Sequence, residues 1–383
     1  MNILLVLHHY LDRNAGAAGA TLRLAEQYQR KGHKVCFFSF EDLPHWFSEK
    51  AESSVFPWFV ASHIFKLVSQ HPIDVIEAMT GDAWIWGNVW KNFSRNCPLL
   101  VTQSHGLEHT AHLQVLEDAR QGRLTLSWKY PLWHGGFRLW EVAQSLRCAD
   151  LVFMLNRQDA THAIEQLGIS PERIHICPNG ISEALLNLPF PDSSVAENRP
   201  IGIVQMGRYT AQKGIEYGVP ALNAILRRYP NVKVSFLGTL CSAEQVYADF
   251  DPSIHDRIRV IPTYTNEQLP DLLQGHHIKL LPTLAEGFGL VIVEAMACGL
   301  APVTTAIQGP LEIVTDGHDG LLVPVRDALA IEQALERLIR DRGYLETLRY
   351  NAYQTAQRYN WADIAQQRLT LFENLLEQRR HSK

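Results

Sequence analysis

Residues 285–297 read AEGFGLVIVEAMA. Two glutamates, Glu286 and Glu294, stand eight positions apart, with Gly287-Phe288-Gly289 after the first and an apolar run before the second. The residues just upstream, Ile278 to Pro282, have the composition of a short buried strand. Leu290 to Cys298 predicts a helix that stops at Gly299. Glu286 therefore belongs in a strand-to-helix turn at the carboxyl edge of a sheet, where open α/β sheets bind ligands.

The turn suits an anionic or hydroxyl-rich ligand. Glycines at 287 and 289 let backbone N–H groups approach it without Cβ interference, and the adjoining helix points its positive end at the same space. Glu294 lies about one helical turn inside, where an ionised carboxylate needs a partner. A vicinal diol such as that of a ribose supplies two donors. For an isolated glutamate pair, a solvated helix residue and a loop carboxylate would be the ordinary explanation. The neighbouring sequence argues against it.

Working outward, short β runs alternate with helical stretches in both halves. Ile3–Leu7, Val35–Phe38, Asp74–Glu77, Leu99–Thr102, Leu151–Met154 and Ile174–Cys177 predict strands in the first half. Gly202–Met206, Val232–Leu237, Ile258–Ile261, Ile278–Leu281, Pro302–Thr304 and Leu321–Val323 predict them in the second. Strands separated by helices mean βαβ units and parallel sheets, so the fold class is α/β with two doubly wound domains. Residues 188–200, rich in Pro, Asp, Ser and Asn, have the composition of a linker. The expected division is 1–187, linker 188–200, 201–360, and a C-terminal helix at 361–383 that crosses back to the first domain. A chain of 383 residues is also longer than one core sustains, which favours two domains of roughly 180 residues.

Loop 206–214 (MGRYTAQKG) follows the first strand of the second half. Arg208 and Lys213, at the carboxyl end of a parallel strand and beside a helix N-terminus, fit a diphosphate clamp. Alone they would be ordinary surface cations. Together with the Glu286 turn on the same sheet, they face one crevice.

Composition narrows the class. The net charge is −5 and the pI about 6.4, with no long basic run, which argues against a nucleic-acid partner. Met1–Leu7 is apolar but only a strand's length and runs into His8 and His9, so it reads as neither signal peptide nor membrane helix, and a cytoplasmic location is expected. Six cysteines without paired spacing predict buried free thiols rather than disulfides or zinc.

The combination of GRYTAQKG, LPTLAEGFGLVIVEAMACG, the PNGI turn at 178–181 and GPLEIVTDGHDGLLVPV resembles the retaining glycosyltransferases of family 4 (glycosyl transferases group 1), which have the GT-B fold. The N-terminal NILLVLHHY, then Gly16 and Gly19, then LRLAEQYQRKGHKV is similar to that family's first strand, glycine loop and first helix. The likeness spans nearly the whole chain. It implies two Rossmann-like domains facing across a cleft, and transfer of a sugar from a nucleotide-diphosphate sugar to a hydroxyl of a glycan, lipid-linked or small-molecule acceptor. No cofactor and no metal are implied, because Arg208 and Lys213 would neutralise the leaving diphosphate. Fixed cations in a dry cleft stabilise that developing charge.

Carried over by position, Glu294 would hold the ribose. Glu286, with the backbone around Phe288, Gly289 and Leu290, would meet the donor sugar. His105, in SHGLEH after a strand of the first domain, falls where the family places a histidine that reaches the transferred sugar. Gly16 and Gly19 would let the first helix approach the phosphates. The family often has two adjacent glycines in that loop, whereas here Ala15-Gly16 is followed by Gly19. Pro262 stands where a glycine is frequent in a loop that helps seat the base, and Thr283 replaces the usual serine. Retention is likewise implied by the family, with front-face attack that needs no enzymatic base.

HGLEHTAH spaces His105, His109 and His112 by four and three, but it is not HExxH, and Gly106 after a strand implies a loop. Trp84, Trp86 and Trp90 read as packing near a strand end. Residues 127–147, with Trp128, Tyr130, Trp133 and Trp140, fit an amphipathic segment in peripheral contact with a membrane. Two other readings share these features: a nucleotide-sugar epimerase or hydrolase of the same architecture, and a non-catalytic nucleotide-sugar-binding subunit.

Overall fold

The computed structural model describes residues 1–44, 46–91, 97–191 and 199–381. Its chain forms two compact units: Met1–Asn179 with Trp361–Lys383 (unit 1), and Gly180–Asn360 (unit 2).

Unit 1 holds β1 (Asn2–Val6), β2 (Lys34–Phe38), β3 (Val75–Met79), β4 (Leu99–Gln103), β5 (Leu151–Met154) and β6 (Ile174–Ile176). They form one parallel sheet in the order β2-β1-β3-β4-β5-β6. Both faces are covered, which is why β3 and β4 are buried at every position. Alternate residues of β1 serve opposite layers. Leu4 and Val6 pack with Phe56, Val60, Ile76 and Leu146, whereas Ile3 and Leu5 pack with Leu24, Tyr28, Val75 and Phe372.

The helix Trp361–His381 belongs to that second layer, contributing Trp361, Ile364, Ala365, Leu369 and Phe372. Its Arg368 is fully buried. The guanidinium pairs with Glu77 of β3 and donates to Gln103 Oε1 at 2.9 Å and to Cys177 Sγ at 3.1 Å, and Tyr28 Oη donates to Glu77 at 3.1 Å. A buried ion pair needs this many partners to offset its desolvation.

Unit 2 holds β7 (Ile201–Met206), β8 (Val232–Leu237), β9 (Ile258–Ile261), β10 (Ile278–Leu281), β11 (Ala301–Thr305) and β12 (Leu321–Val323). This sheet is also parallel, in the order β12-β11-β10-β7-β8-β9. Its core joins Ile203, Val234, Phe236, Ile278 and Leu280 to Leu222 and Ile225 of the helix Ile215–Arg228 and to Leu335 and Leu338 of the helix Ala328–Arg340.

Unit 2 starts at Gly180, upstream of the stretch expected as the linker. The reason is packing: Leu188 O accepts from Tyr353 Oη at 2.8 Å, and Pro191 lies against Gly299 so closely that a Cβ there would meet its Cδ at 2.6 Å. Residues 192–198 of that stretch lie outside the described residues.

All six cysteines are free, but only Cys177 is fully buried and Cys36 is exposed, so the expectation of uniformly buried thiols is corrected. Trp86 is buried, and Trp84 donates to Glu141 Oε1 at 3.1 Å. Trp128 and Trp133 are instead 76% and 57% exposed. Among the described residues no helix is long and apolar enough to cross a membrane.

Candidate functional site

In unit 2 the chain runs from β7 to β8 and β9 on one side, then places β10, β11 and β12 on the other side of β7. Strand order reverses between β7 and β10. Outside the carboxyl ends of two such strands a crevice opens. The β7 loop carries Arg208 and Lys213, and the β10 loop carries Glu286.

The two loops are fastened to each other. Leu284 N donates to Gln212 O at 2.9 Å, and the buried Thr283 hydroxyl lies 3.2 Å from Gln212 O and 3.0 Å from Ala285 O. Thr305 Oγ1 of β11 donates to Thr283 O at 2.5 Å. Gly214 adopts φ +73, and a Cβ on it would fall 1.8 Å from Pro282 O, so only glycine lets the loops meet.

Across this junction Lys213 Nζ meets Glu286 Oε2 at 2.7 Å. The sequence assigns these two groups to different parts of a ligand, whereas the structure pairs them with each other. Arg208 is exposed and makes no ion pair among the described residues. It is thus the cation left open at the β7 end.

After Glu286 the chain turns through Phe288, buried edge-on against Tyr359 with ring centroids 5.8 Å apart, and Gly289 at φ +102. Gly289 caps the helix Leu290–Ala297. The turn is backed by Gly309, whose N–H donates to Glu286 O at 3.2 Å and whose missing Cβ would lie 2.6 Å from the carbonyls of Glu286 and Phe288. Glu294 sits in that helix, 6% exposed. Its charge, after burial, helps raise the hydroxyl of Tyr264, and the same two causes push the Cys298 thiol up to about 12.

Two residues of this neighbourhood escape the sequence reading. Tyr264 follows β9 and closes over Gly238, where a Cβ would strike its ring at 2.9 Å. Lys279 lies inside β10, fully buried, with Nζ donating to Leu280 O at 2.8 Å. Burial, then the nearby Lys213, lowers its ammonium to about 7, against the opposing pull of Glu286 and Glu294. The only signal for it was a lysine inside the apolar run IKLL.

His105, Gly16 and Gly19 belong to unit 1. His105 follows β4 in a loop that continues through Gly106 at φ +135 before the helix Glu108–Arg120. Its Nε2 is buried without a partner, and burial together with Arg368, His8 and His9 pushes the imidazole down to about 3, leaving it neutral at pH 7. His112 instead bonds Tyr130 Oη at 3.1 Å, and among the described residues no group of three His, Cys, Asp or Glu could hold a metal.

The two glycines differ. Gly16 begins the helix Gly16–Arg30 with open space where its Cβ would be. Gly19 is buried, and a Cβ on it would hit Arg13 O at 2.4 Å, so the loop's own packing requires a glycine there.

Residues 15–185 match the family model described as Glycosyltransferase Family 4, and residues 190–355 match that described as Glycosyl transferases group 1. The chain belongs to the family 4, group 1 glycosyltransferases.

This glycosyltransferase is 28% identical over 308 residues to the alpha-maltose-1-phosphate synthase of Mycolicibacterium smegmatis, covering 72% of this chain and 75% of that protein. It is 26% identical over 251 residues to the D-inositol 3-phosphate glycosyltransferase of Xylanimonas cellulosilytica, covering 62% and 60%. Two further D-inositol 3-phosphate glycosyltransferases are spanned over 58% and 59% of their length.

Among solved structures, sucrose-phosphate synthase from Thermosynechococcus elongatus superimposes with a TM-score of 0.75 at 20% identity, over 98% of this chain and 100% of that one. Anabaena HepE in complex with UDP does so at 0.71 and 19%, over 98% and 100%. At these identities the likeness establishes the fold, GT-B with two Rossmann-like units.

Proposed function

We propose that this glycosyltransferase moves a sugar from a nucleoside-diphosphate sugar to a hydroxyl of a glycan, lipid-linked or small-molecule acceptor, with retention and without a divalent metal. The observation that carries this reading is the fastening of the Arg208/Lys213 loop to the Glu286 loop at the switch point of unit 2. An incoming diphosphate competes with Glu286 for Lys213 and finds Arg208 open. As the bond to the sugar breaks, charge collects on the diphosphate, and both cations stabilise it more than they stabilise the intact donor. Glu286, released from Lys213, is free to accept from the donor sugar's hydroxyls, and Glu294 from the ribose.

UDP in the HepE complex supports a uridine nucleotide as the first donor to try. His105, neutral and with an open Nε2, suits a hydrogen bond to a sugar hydroxyl rather than to a phosphate. The exposed Trp128 and Trp133 support peripheral contact with the cytoplasmic face of a membrane carrying the acceptor. Proton NMR of UDP-glucose turnover in EDTA, with a hydroxylated acceptor, tests the proposal. An α-linked product is expected from the α-linked donor. A β-linked product overturns retention, and a requirement for added Mg²⁺ overturns metal independence.

A further inference from the structure

Unit 1 has a switch point of its own. From β1 the chain goes outward to β2 and then returns to place β3 on the other side of β1, so strand order reverses between β1 and β3. The crevice expected there lies outside the carboxyl ends of those two strands. Beyond β1 comes His8, and beyond β3 comes Asp82. The two are joined, Nδ1 to Oδ1, at 2.8 Å.

The pair is built into the fold. Asp82 is 1% exposed and its Oδ2 is buried without a partner. Its loop is pinned by Gly81 N donating to Ser145 Oγ at 2.9 Å and by Arg138 Nη2 donating to Thr80 O at 3.3 Å. Gly81 has φ +84, and a Cβ there would strike the Arg138 guanidinium at 2.5 Å. One strand further along, His105 also keeps an unpartnered Nε2. With Nδ1 committed to Asp82, the nitrogen left on the far side of the partly exposed His8 ring is Nε2.

Charge selects the ligand. Arg138 is already met by Glu108 at 3.4 Å and Glu141 at 3.6 Å, and His8 is met by Asp82, so both cations beside the Asp82 loop are compensated among the described residues. A hydroxyl, which both donates and accepts, fits such a balanced site. We infer that His8, held in place by Asp82, is an acceptor-binding residue whose Nε2 hydrogen-bonds a ring hydroxyl of a carbohydrate or cyclitol acceptor at the unit 1 switch point. This rests on the glycosyltransferase reading above. Asp82 is the positioning residue, acting through His8. Burial alone would lower the His8 pKa, but the charge and hydrogen bond of Asp82 outweigh it, and Arg138, Glu108 and the neighbouring His9 and His105 complete its electrostatic surroundings.

Saturation-transfer NMR with glucose and myo-inositol as probes, in the presence of UDP, tests this. The same samples are checked for a rise in melting temperature with UDP-sugar. Wild type is expected to saturate at least one probe, His8→Ala to lose the signal tenfold or more with the melting rise intact, and His8→Gln to recover part of it. Asp82→Asn is expected to lower the His8 ring pKa read by nitrogen-15 NMR and, with His8 still in place and the melting rise intact, to weaken the probe signal, which an aspartate that only supports the fold would not do. Equal probe signals in wild type and His8→Ala overturn the inference. So does the absence of any signal from a wild type that still shows the melting rise. A wild type with no melting rise refutes the donor reading instead.

Discussion

Replacing Lys279 with methionine removes a charge from the middle of the unit 2 sheet while keeping the length of the chain. The ammonium falls from 10.5 to about 7 because it is fully buried and accompanied by Lys213. An unfolded lysine binds more protons than the folded one between those two values, so the stability of unit 2 rises with pH from about 7 to 10.5. At 1.36 kcal/mol per pH unit, the burden at pH 7 is about 4 kcal/mol, falling to about 2 kcal/mol at pH 9. Lys279→Met removes it, so the variant should be more stable at pH 7 by up to that amount, with roughly half the gain at pH 9.

Two probes of urea unfolding test this. All nine tryptophans, from Trp46 to Trp361, lie in unit 1, so their fluorescence reports unit 1 alone while far-UV circular dichroism reports both. The gain should appear in the dichroism transition and not in the fluorescence. A variant less stable than wild type at pH 7, or a gain that does not change between pH 7 and pH 9, refutes the reasoning that Lys279 is a desolvated cation.

Arg368→Ala strands the buried carboxylate of Glu77 and should cost about 3–5 kcal/mol, this time visible in tryptophan fluorescence as a lowered urea midpoint. Lys213→Ala should slow single-turnover transfer about a hundredfold, the loss typical of removing one charge stabiliser; an unchanged rate contradicts the clamp. Glu294→Ala should mainly raise the donor dissociation constant measured by calorimetry, with little change in turnover at saturating donor, since ribose contacts do not alter on the way to the transition state.

Strand positions were legible because each carries an apolar run bounded by turn residues: β5, β8, β9, β10 and β12 have the expected limits. Glu286 and Gly289 were placed correctly at a strand-to-helix turn for the same reason. What the chain hid is tertiary. Leu188 and Pro191 have linker composition, yet they pack against the helix Arg342–Ala356 and Gly299, contacts between residues more than a hundred positions apart. The sequence offers a ligand reason for Gly19, and only its distance to the Arg13 carbonyl discloses that the loop's packing requires a glycine there as well. Nor does spacing disclose that His8 meets Asp82, because the two lie 74 residues apart and are joined only by the reversal of strand order. Lys279 escapes the sequence because its neighbours Lys213, Glu286 and Glu294 come from two loops and a helix.

Binding of a nucleotide-sugar's diphosphate to unit 2 through Arg208 and Lys213 is the central expectation. The most direct test is the melting temperature of the protein against UDP-, GDP-, ADP- and TDP-sugars in EDTA, repeated with Arg208→Ala and Lys213→Ala, because a ligand that binds only the folded state raises it. A rise with one nucleotide series, independent of metal and lost in both variants, is the predicted result. No rise with any series, or a rise that survives both substitutions, would contradict it.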